Sequence, residues 1–194
     1  KYKLKIVEDC AESLGAKDEN GILSGKIGDI SCWSFQGAKH LTCGDGGMVS
    51  TSNKKLAAKI RKFSNLGFKV LTADADKISV KKDDLQNPKT KRFELVGYNY
   101  RMNEFSASII LAQFERINFF LNLRRMSAKA LEKIISKSRL ITVQKLASKT
   151  FSTYYTLSAK LNSRKVSWTN FRKKFIFFGG DPIYAASKIL QDEP

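Results

Sequence analysis

Ser34-Phe-Gln-Gly-Ala-Lys-His-Leu-Thr-Cys-Gly-Asp-Gly-Gly47 sets a lysine, Lys39, between a strand-like run and a glycine-rich turn. Upstream, Asp29-Ile-Ser-Cys-Trp-Ser-Phe35 has the β-branched and aromatic content of a short strand, and Met48-Val-Ser-Thr-Ser52 has it again downstream. Gly44, Gly46 and Gly47 supply positions that take positive φ, so the two strands can run antiparallel with Lys39 projecting from their connection. In a chain of 35 Lys+Arg, a lysine on a hairpin is ordinarily a solvated one.

Asp9 changes the weighting. It follows the apolar run Leu4-Lys-Ile-Val7 and so stands where a buried strand is expected to end and functional loops to begin. A pyridoxal 5'-phosphate (PLP) enzyme needs a lysine amine for a Schiff base, a carboxylate against the pyridinium nitrogen and hydroxyl or backbone donors for the phosphate. Lys39, Asp9 and Ser34 can supply these three groups.

Glu8-Asp-Cys-Ala-Glu-Ser-Leu-Gly-Ala16, Gly28-Asp29, Ser34-Phe-Gln-Gly-Ala-Lys39 and Gly44-Asp-Gly-Gly47, in that order, resemble the DegT/DnrJ/EryC1/StrS sugar aminotransferases. Gly97-Tyr-Asn-Tyr-Arg-Met102, with Ala107 and Gln113 after it, is similar to a further signature of that family, so the resemblance covers roughly residues 1 to 120. The tail Ser167-Trp-Thr-Asn-Phe-Arg-Lys-Lys-Phe175 and Gly179-Gly-Asp-Pro-Ile-Tyr184 resembles the small-domain end of perosamine-synthase-type members.

The resemblance implies an α/β chain of the PLP-dependent transferase fold type I: part of a large domain with a mixed sheet and helices, then a small α+β domain. It implies transamination of a keto group on a nucleotide-linked sugar, with glutamate as amino donor, and gives Lys39 both the Schiff base and the proton transfers. Asp9 would face the ring nitrogen and Ser34 the phosphate. Asn99 and Arg101 would reach the cofactor of a neighbouring subunit, which implies a homodimer with shared sites. His40, beside the lysine, becomes a substrate-binding candidate, with packing or solvation as its ordinary role. Glu12 stands where family members often carry glutamine near the ring 3'-oxygen, a departure that leaves its role open. A nucleotide-sugar dehydratase on the same fold is the alternative. In it histidine replaces the lysine, and Lys39 argues against it because histidine forms no Schiff base.

The formal net charge of +17 and a pI near 9.9 are the electrostatic footprint of a nucleic-acid binder, which is the third reading. The lysines are scattered through Lys54-Lys55, Lys59, Lys81-Lys82 and Lys89 to Arg92, without a zinc-finger or RNA-recognition motif, so a solvated face is expected instead. Such a face would also draw in an anionic nucleotide sugar. No run approaches the ~18 apolar residues of a membrane span. Three cysteines, Cys10, Cys32 and Cys43, suit reduced thiols in a cytoplasmic enzyme, and neither their spacing nor the single histidine offers a metal site.

Lys1-Tyr-Lys-Leu-Lys-Ile-Val7 opens inside a strand-like run and the resemblance implies a further N-terminal portion, so a fragment is expected. Asn53 to Asn65 reads as a helix capped by Asn53, with Leu56, Ile60 and Phe63 on one stripe, ending near Gly67. Phe68 to Glu94, with Asp74, Asp76 and Pro88, reads as irregular. Residues 103–137 lack glycine and proline and read as one long helix with room for a kink; its stripe of Phe105, Ile109, Ala112, Phe119, Leu123, Met126, Ala130 and Ile134 is expected to be core. That helix closes the large-domain part, 1–137, and 138–194 forms the incomplete small domain. In it Leu140 to Gln144 and Phe151 to Ala159 read as strands. Trp168 to Phe178 reads as a helix capped by Ser167 or Thr169, with Trp168, Phe171, Phe175 and Phe178 on a buried face.

Overall fold

The computed structural model describes residues 2–74, 77–162, 164–181 and 183. Asp76, and Pro182 and Tyr184 of the tail motif, lie outside the described residues. Two compact units are present, Lys1–Arg125 with Ala147–Tyr155, and Met126–Leu146 with Thr156–Pro194.

The first unit is built on a three-stranded sheet, β1 (Val7–Asp9), β2 (Ile30–Ser34) and β3 (Gly47–Ser50), in the order β1-β2-β3. β1 pairs parallel with β2, Val7 opposite Ile30 and Asp9 opposite Cys32. β2 pairs antiparallel with β3, from Ser31 opposite Ser50 to Ser34 opposite Gly47, as the glycine-rich connection predicts. The glycines serve differently from the expectation. Only Gly44 has positive φ, +88°. Gly46 and Gly47 are required for space, because a Cβ at Gly46 would lie 2.8 Å from Cys43 Sγ and from Met102 Cε, and one at Gly47 2.8 Å from the Trp33 carbonyl.

The run before Asp9 is not buried. Leu4, Ile6 and Val7 are exposed, because β1 is an edge strand with a partner on one side only. The core of this unit gathers instead around Cys10, Phe35, Leu41, Leu121 and Tyr154, together with the polar Ser31, His40 and Thr153.

Helix α1 (Lys54–Phe63) begins where Asn53 accepts from the backbone N–H groups of Lys55 and Leu56, and the Gly67 N–H returns to the Lys62 carbonyl. The following stretch is irregular apart from a five-residue helix, α2 (Lys82–Gln86). The single helix expected over 103–137 is two: α3 (Glu104–Phe114), capped by Asn103, and α4 (Ile117–Ile135). The break at Glu115–Arg116 changes which residues face inward. Leu121 and Ala128, seven apart, are buried, whereas Phe105, Ile109, Phe119, Leu123, Met126 and Ile134 of the expected core stripe are exposed.

In the second unit β4 (Ile141–Val143) pairs antiparallel with β5 (Ala159–Leu161). Most of the strand expected over 151–159 is therefore absent. Tyr154 takes φ +49°, outside the β region, and residues 152–155 are held in the first unit by other means. Helix α5 (Trp168–Phe177) is capped by Ser167, whose hydroxyl accepts from the Asn170 N–H. Its aromatics pack on one another, Trp168 to Phe171 at 6.3 Å and Phe171 to Phe175 at 6.1 Å, but none is buried and Phe178 is exposed, so the expected buried face is not formed among the described residues.

Candidate functional site

Asp9 is the last residue of β1 and Ser34 the last of β2, so both stand at the carboxyl ends of neighbouring parallel strands. That is where open α/β sheets receive ligands. Side-chain alternation puts Asp9, Cys32 and Ser34 on one face of the sheet and Glu8, Ser31 and Trp33 on the other. Asp9 is exposed, and its Oδ1 accepts from the Ala11 N–H at 3.0 Å, which fixes the carboxylate against its own loop. The Ser34 hydroxyl accepts from the Gln36 N–H at 3.3 Å.

Lys39 lies in the connection that follows β2, its N–H bonded to the Gln36 carbonyl at 3.0 Å. Its Nζ donates to Glu12 Oε1 at 3.1 Å and sits 4.6 Å from the centre of the Tyr155 ring. The lysine side chain is 15% exposed and the Glu12 side chain 60%. The hydrogen bond to Glu12 raises the pKa of the amine above its ordinary value, with desolvation opposing it.

His40 is buried. Its Nε2 lies 3.3 Å from the Thr153 carbonyl oxygen, its ring is 5.7 Å from Tyr155, and its Nδ1 is buried without a hydrogen-bond partner. Burial lowers its pKa and favours the neutral ring. Asn99 and Arg101 are exposed and bonded to each other, Arg101 Nε donating to Asn99 Oδ1 at 2.7 Å. No hydrogen bond or ion pair among the described residues joins either of them to Lys39, Asp9 or Ser34. Glu12, Lys39 and His40 are thus brought together, Asp9 and Ser34 share a sheet edge, and Asn99 and Arg101 form a separate pair.

Three residues of this region were not singled out from sequence for these roles. Tyr155 covers the amine, and its carbonyl accepts from Arg124 Nη1 at 3.3 Å. Glu8 accepts from the N–H groups of Gly25 at 2.9 Å, Ile27 at 2.7 Å and Gly28 at 2.5 Å, which draws its pKa below the usual carboxylate value, Gly28 contributing most. Gln113 of α3 clasps the Lys39 connection from both sides, Thr42 N–H donating to Oε1 at 3.0 Å and Nε2 donating to the Thr42 carbonyl at 2.6 Å. Glu8 and Gln113 left a sequence signal as members of the quoted motifs, Glu8 opening the first and Gln113 following Gly97, but without pointing to these roles. Among the described residues no group of three or more His, Cys, Asp or Glu could hold a metal ion, and no helix is long and apolar enough to cross a membrane.

The model of the DegT/DnrJ/EryC1/StrS aminotransferase family matches residues 1–180. GDP-perosamine synthase of Escherichia coli O157:H7 is 35% identical over 155 residues, covering 80% of this chain and 37% of that protein. Among solved structures, the aminotransferase TlmJ of Streptoalloteichus hindustanus superposes with a TM-score of 0.74 at 23% identity, over 91% of this chain and 43% of that one. An E. coli GDP-4-keto-6-deoxy-D-mannose-3-dehydratase with bound hydrated PLP superposes with a TM-score of 0.76 at 19% identity, over 92% and 45%. The expected α/β fold is thus the one these enzymes share, and the chain spans less than half the length of each.

Proposed function

The chain belongs to the DegT/DnrJ/EryC1/StrS aminotransferase family, and we propose that it is part of a PLP-dependent enzyme that transaminates a keto group on a nucleotide-linked sugar. The observation that supports the reading is that Asp9 and Ser34 end adjacent parallel strands and Lys39 lies in the connection that follows the second of them. This donor set fits PLP chemically: amine for the aldehyde, carboxylate for the pyridine nitrogen, hydroxyl for the phosphate. Bound there, PLP supplies an aldehyde carbon and a ring that withdraws electrons from the carbon being deprotonated.

Lys39 would carry the covalent attachment and would then move the proton at the reacting carbon. Asp9 would hold a proton on the ring nitrogen, a charge-assisted bond stronger than a neutral one. Ser34 would offer its hydroxyl to the phosphate. His40, neutral and buried, supports Tyr155 from below rather than meeting substrate. Asn99 and Arg101 serve a neighbouring subunit's cofactor in a homodimer. Their exposure, with Val96, Tyr100 and Phe105 also exposed nearby in sequence, suits an interface. Glutamate is the proposed amino donor, amino-sugar biosynthesis the proposed setting, and the cytoplasm, where nucleotide sugars are made, the proposed compartment.

The dehydratase-like neighbour shares the fold, but Lys39 favours amination, since an amine forms an imine with a carbonyl and an imidazole does not. Reduction of the PLP-loaded full-length protein with borohydride, followed by peptide mapping, tests the reading. A pyridoxyl mass on Lys39 is expected, and the same mass on a different lysine overturns it.

A further inference from the structure

Lys39 is held from two sides by groups that the proposed transamination does not by itself require. Glu12, from the loop after β1, takes a hydrogen bond from the amine at 3.1 Å. Tyr155, more than a hundred residues away in sequence, lays its ring 4.6 Å from the same nitrogen. The carboxylate and the ring both favour a cation, the first by charge and the second by the negative face of its π system. Tyr155 is itself fixed: its carbonyl is bonded by Arg124 and its ring stands against buried His40. The charged or titratable groups facing the amine are therefore Glu12, Tyr155 and His40, and the last is neutral by burial.

We propose that Glu12 and Tyr155 are positioning residues that clamp the Lys39 amine in its charged form, so that the lysine reacts with carbonyl compounds only as the clamp releases its proton. In the reactive step Lys39 ammonium gives its proton to the Glu12 carboxylate. The freed nitrogen lone pair then forms the bond to a carbonyl carbon while the C=O π pair moves to oxygen. The oxygen takes up two protons, one returned by Glu12 and one given up by the nitrogen, and leaves as water as the C–O bond breaks and the nitrogen lone pair closes the C=N bond. The inference rests on the reading of Lys39 as the reactive amine, but it concerns the protein's own residues and is measurable without PLP.

The test is reductive methylation of the purified full-length protein, freed of PLP beforehand, with formaldehyde and cyanoborohydride from pH 7 to 10. Mass spectrometry of peptides compares Lys39 with Lys54, an exposed lysine on α1 that serves as internal reference. In the native protein Lys39 should label more slowly than Lys54. Glu12→Gln should raise the Lys39-to-Lys54 ratio roughly two- to fivefold, as expected for losing a largely exposed ion pair. The increase should shrink in 1 M salt, where the screening length is about 3 Å. Tyr155→Phe keeps the ring but removes the hydroxyl that also favours the charged amine, so it should raise the ratio less than Tyr155→Leu, which removes both; a merely structural role for Tyr155 would not separate these two by the charge state of one lysine.

An unchanged ratio in Glu12→Gln, or a change equal for Phe and Leu at 155, overturns the clamp. Glu12 is mostly exposed, so Glu12→Gln is expected to fold, and a native-like urea melt of the variant checks it. The two failures are distinguishable: a pyridoxyl group found on another lysine refutes the function while leaving the clamp measurable, and an unaltered methylation ratio refutes the clamp while leaving the pyridoxyl map intact.

Discussion

Replacing Glu8 with glutamine should destabilise the first unit by about 3–6 kcal/mol at pH 7. In the structure Oε1 accepts from the N–H groups of Ile27 and Gly28, and Oε2 accepts from Gly25. A glutamine keeps one acceptor oxygen, so its NH2 must face at least one backbone N–H. The hydrogen bond lost there was made to a charge, worth about 1.5–3 kcal/mol, and those that remain fall to the roughly 0.5–1.5 kcal/mol of a neutral pair. Ile27 is exposed and water can partly replace its partner, which favours the lower end.

The pH dependence separates this cause from a packing defect. Glu8 has its pKa lowered in the folded chain, so its contribution is complete above the unfolded value of about 4.3 and is lost as pH falls through the lower folded one. Urea melts of the native and Glu8→Gln proteins should therefore differ most near neutrality and converge in acid. A difference under about 0.5 kcal/mol at pH 7, or one that widens as pH falls, would refute the reasoning.

Asp9→Asn should reduce glutamate-dependent conversion of PLP to pyridoxamine phosphate by roughly 10²- to 10⁴-fold, as for loss of a positioned proton-handling group; single-turnover absorbance is the measurement, and near-native turnover would remove Asp9 from its proposed role. Asn53→Ala removes the acceptor for two N–H groups at the start of α1 and should cost about 1 kcal/mol in thermal or urea unfolding, with Asn53→Ser largely restoring it. Residues 1–194 alone should lack transaminase activity even with PLP, because the chain spans 37% of the E. coli perosamine synthase and Leu4, Ile6 and Val7 stand exposed just before and at the start of β1. Comparable turnover per molecule in this chain and the full-length protein would disprove that.

The parts of the molecule legible in the sequence were those written within a few residues. The antiparallel β2–β3 pair followed from β-branched runs around Gly44 to Gly47, and α1 from an asparagine followed by an apolar stripe. The site was legible to the extent that Asp9, Ser34 and Lys39 end or follow strands, and the order of the motifs pointed to the family that residues 1–180 match. What escaped depends on contacts distant in the chain. Tyr155 lies in a run whose β-branched and aromatic content reads as strand, but Tyr154 adopts positive φ and Arg124 and Arg125 bond to the Tyr155 and Ser152 carbonyls in place of a ladder. Helical periodicity found the apolar positions of 103–137 without identifying the packed face, because Leu121 and Ala128 turn inward and the larger Phe119 and Met126 do not. The Glu8 hub was invisible for a simpler reason: apart from the Ser31 hydroxyl at 3.5 Å, its partners are backbone N–H groups, which carry no residue identity.

The bond between His40 and the Thr153 carbonyl closes 113 residues of chain, and the Tyr155 ring that covers Lys39 arrives with it. On a ribosome adding roughly 5–20 residues per second, the lysine is made some 6 to 23 seconds before its aromatic neighbour. Through that interval the nascent amine has Glu12 beside it in sequence order but no roof, and it is open to any aldehyde the cell contains, free PLP included. The enclosure of the Lys39 amine is thus completed late in synthesis, when residues 152–155 dock and bring Tyr155 over it.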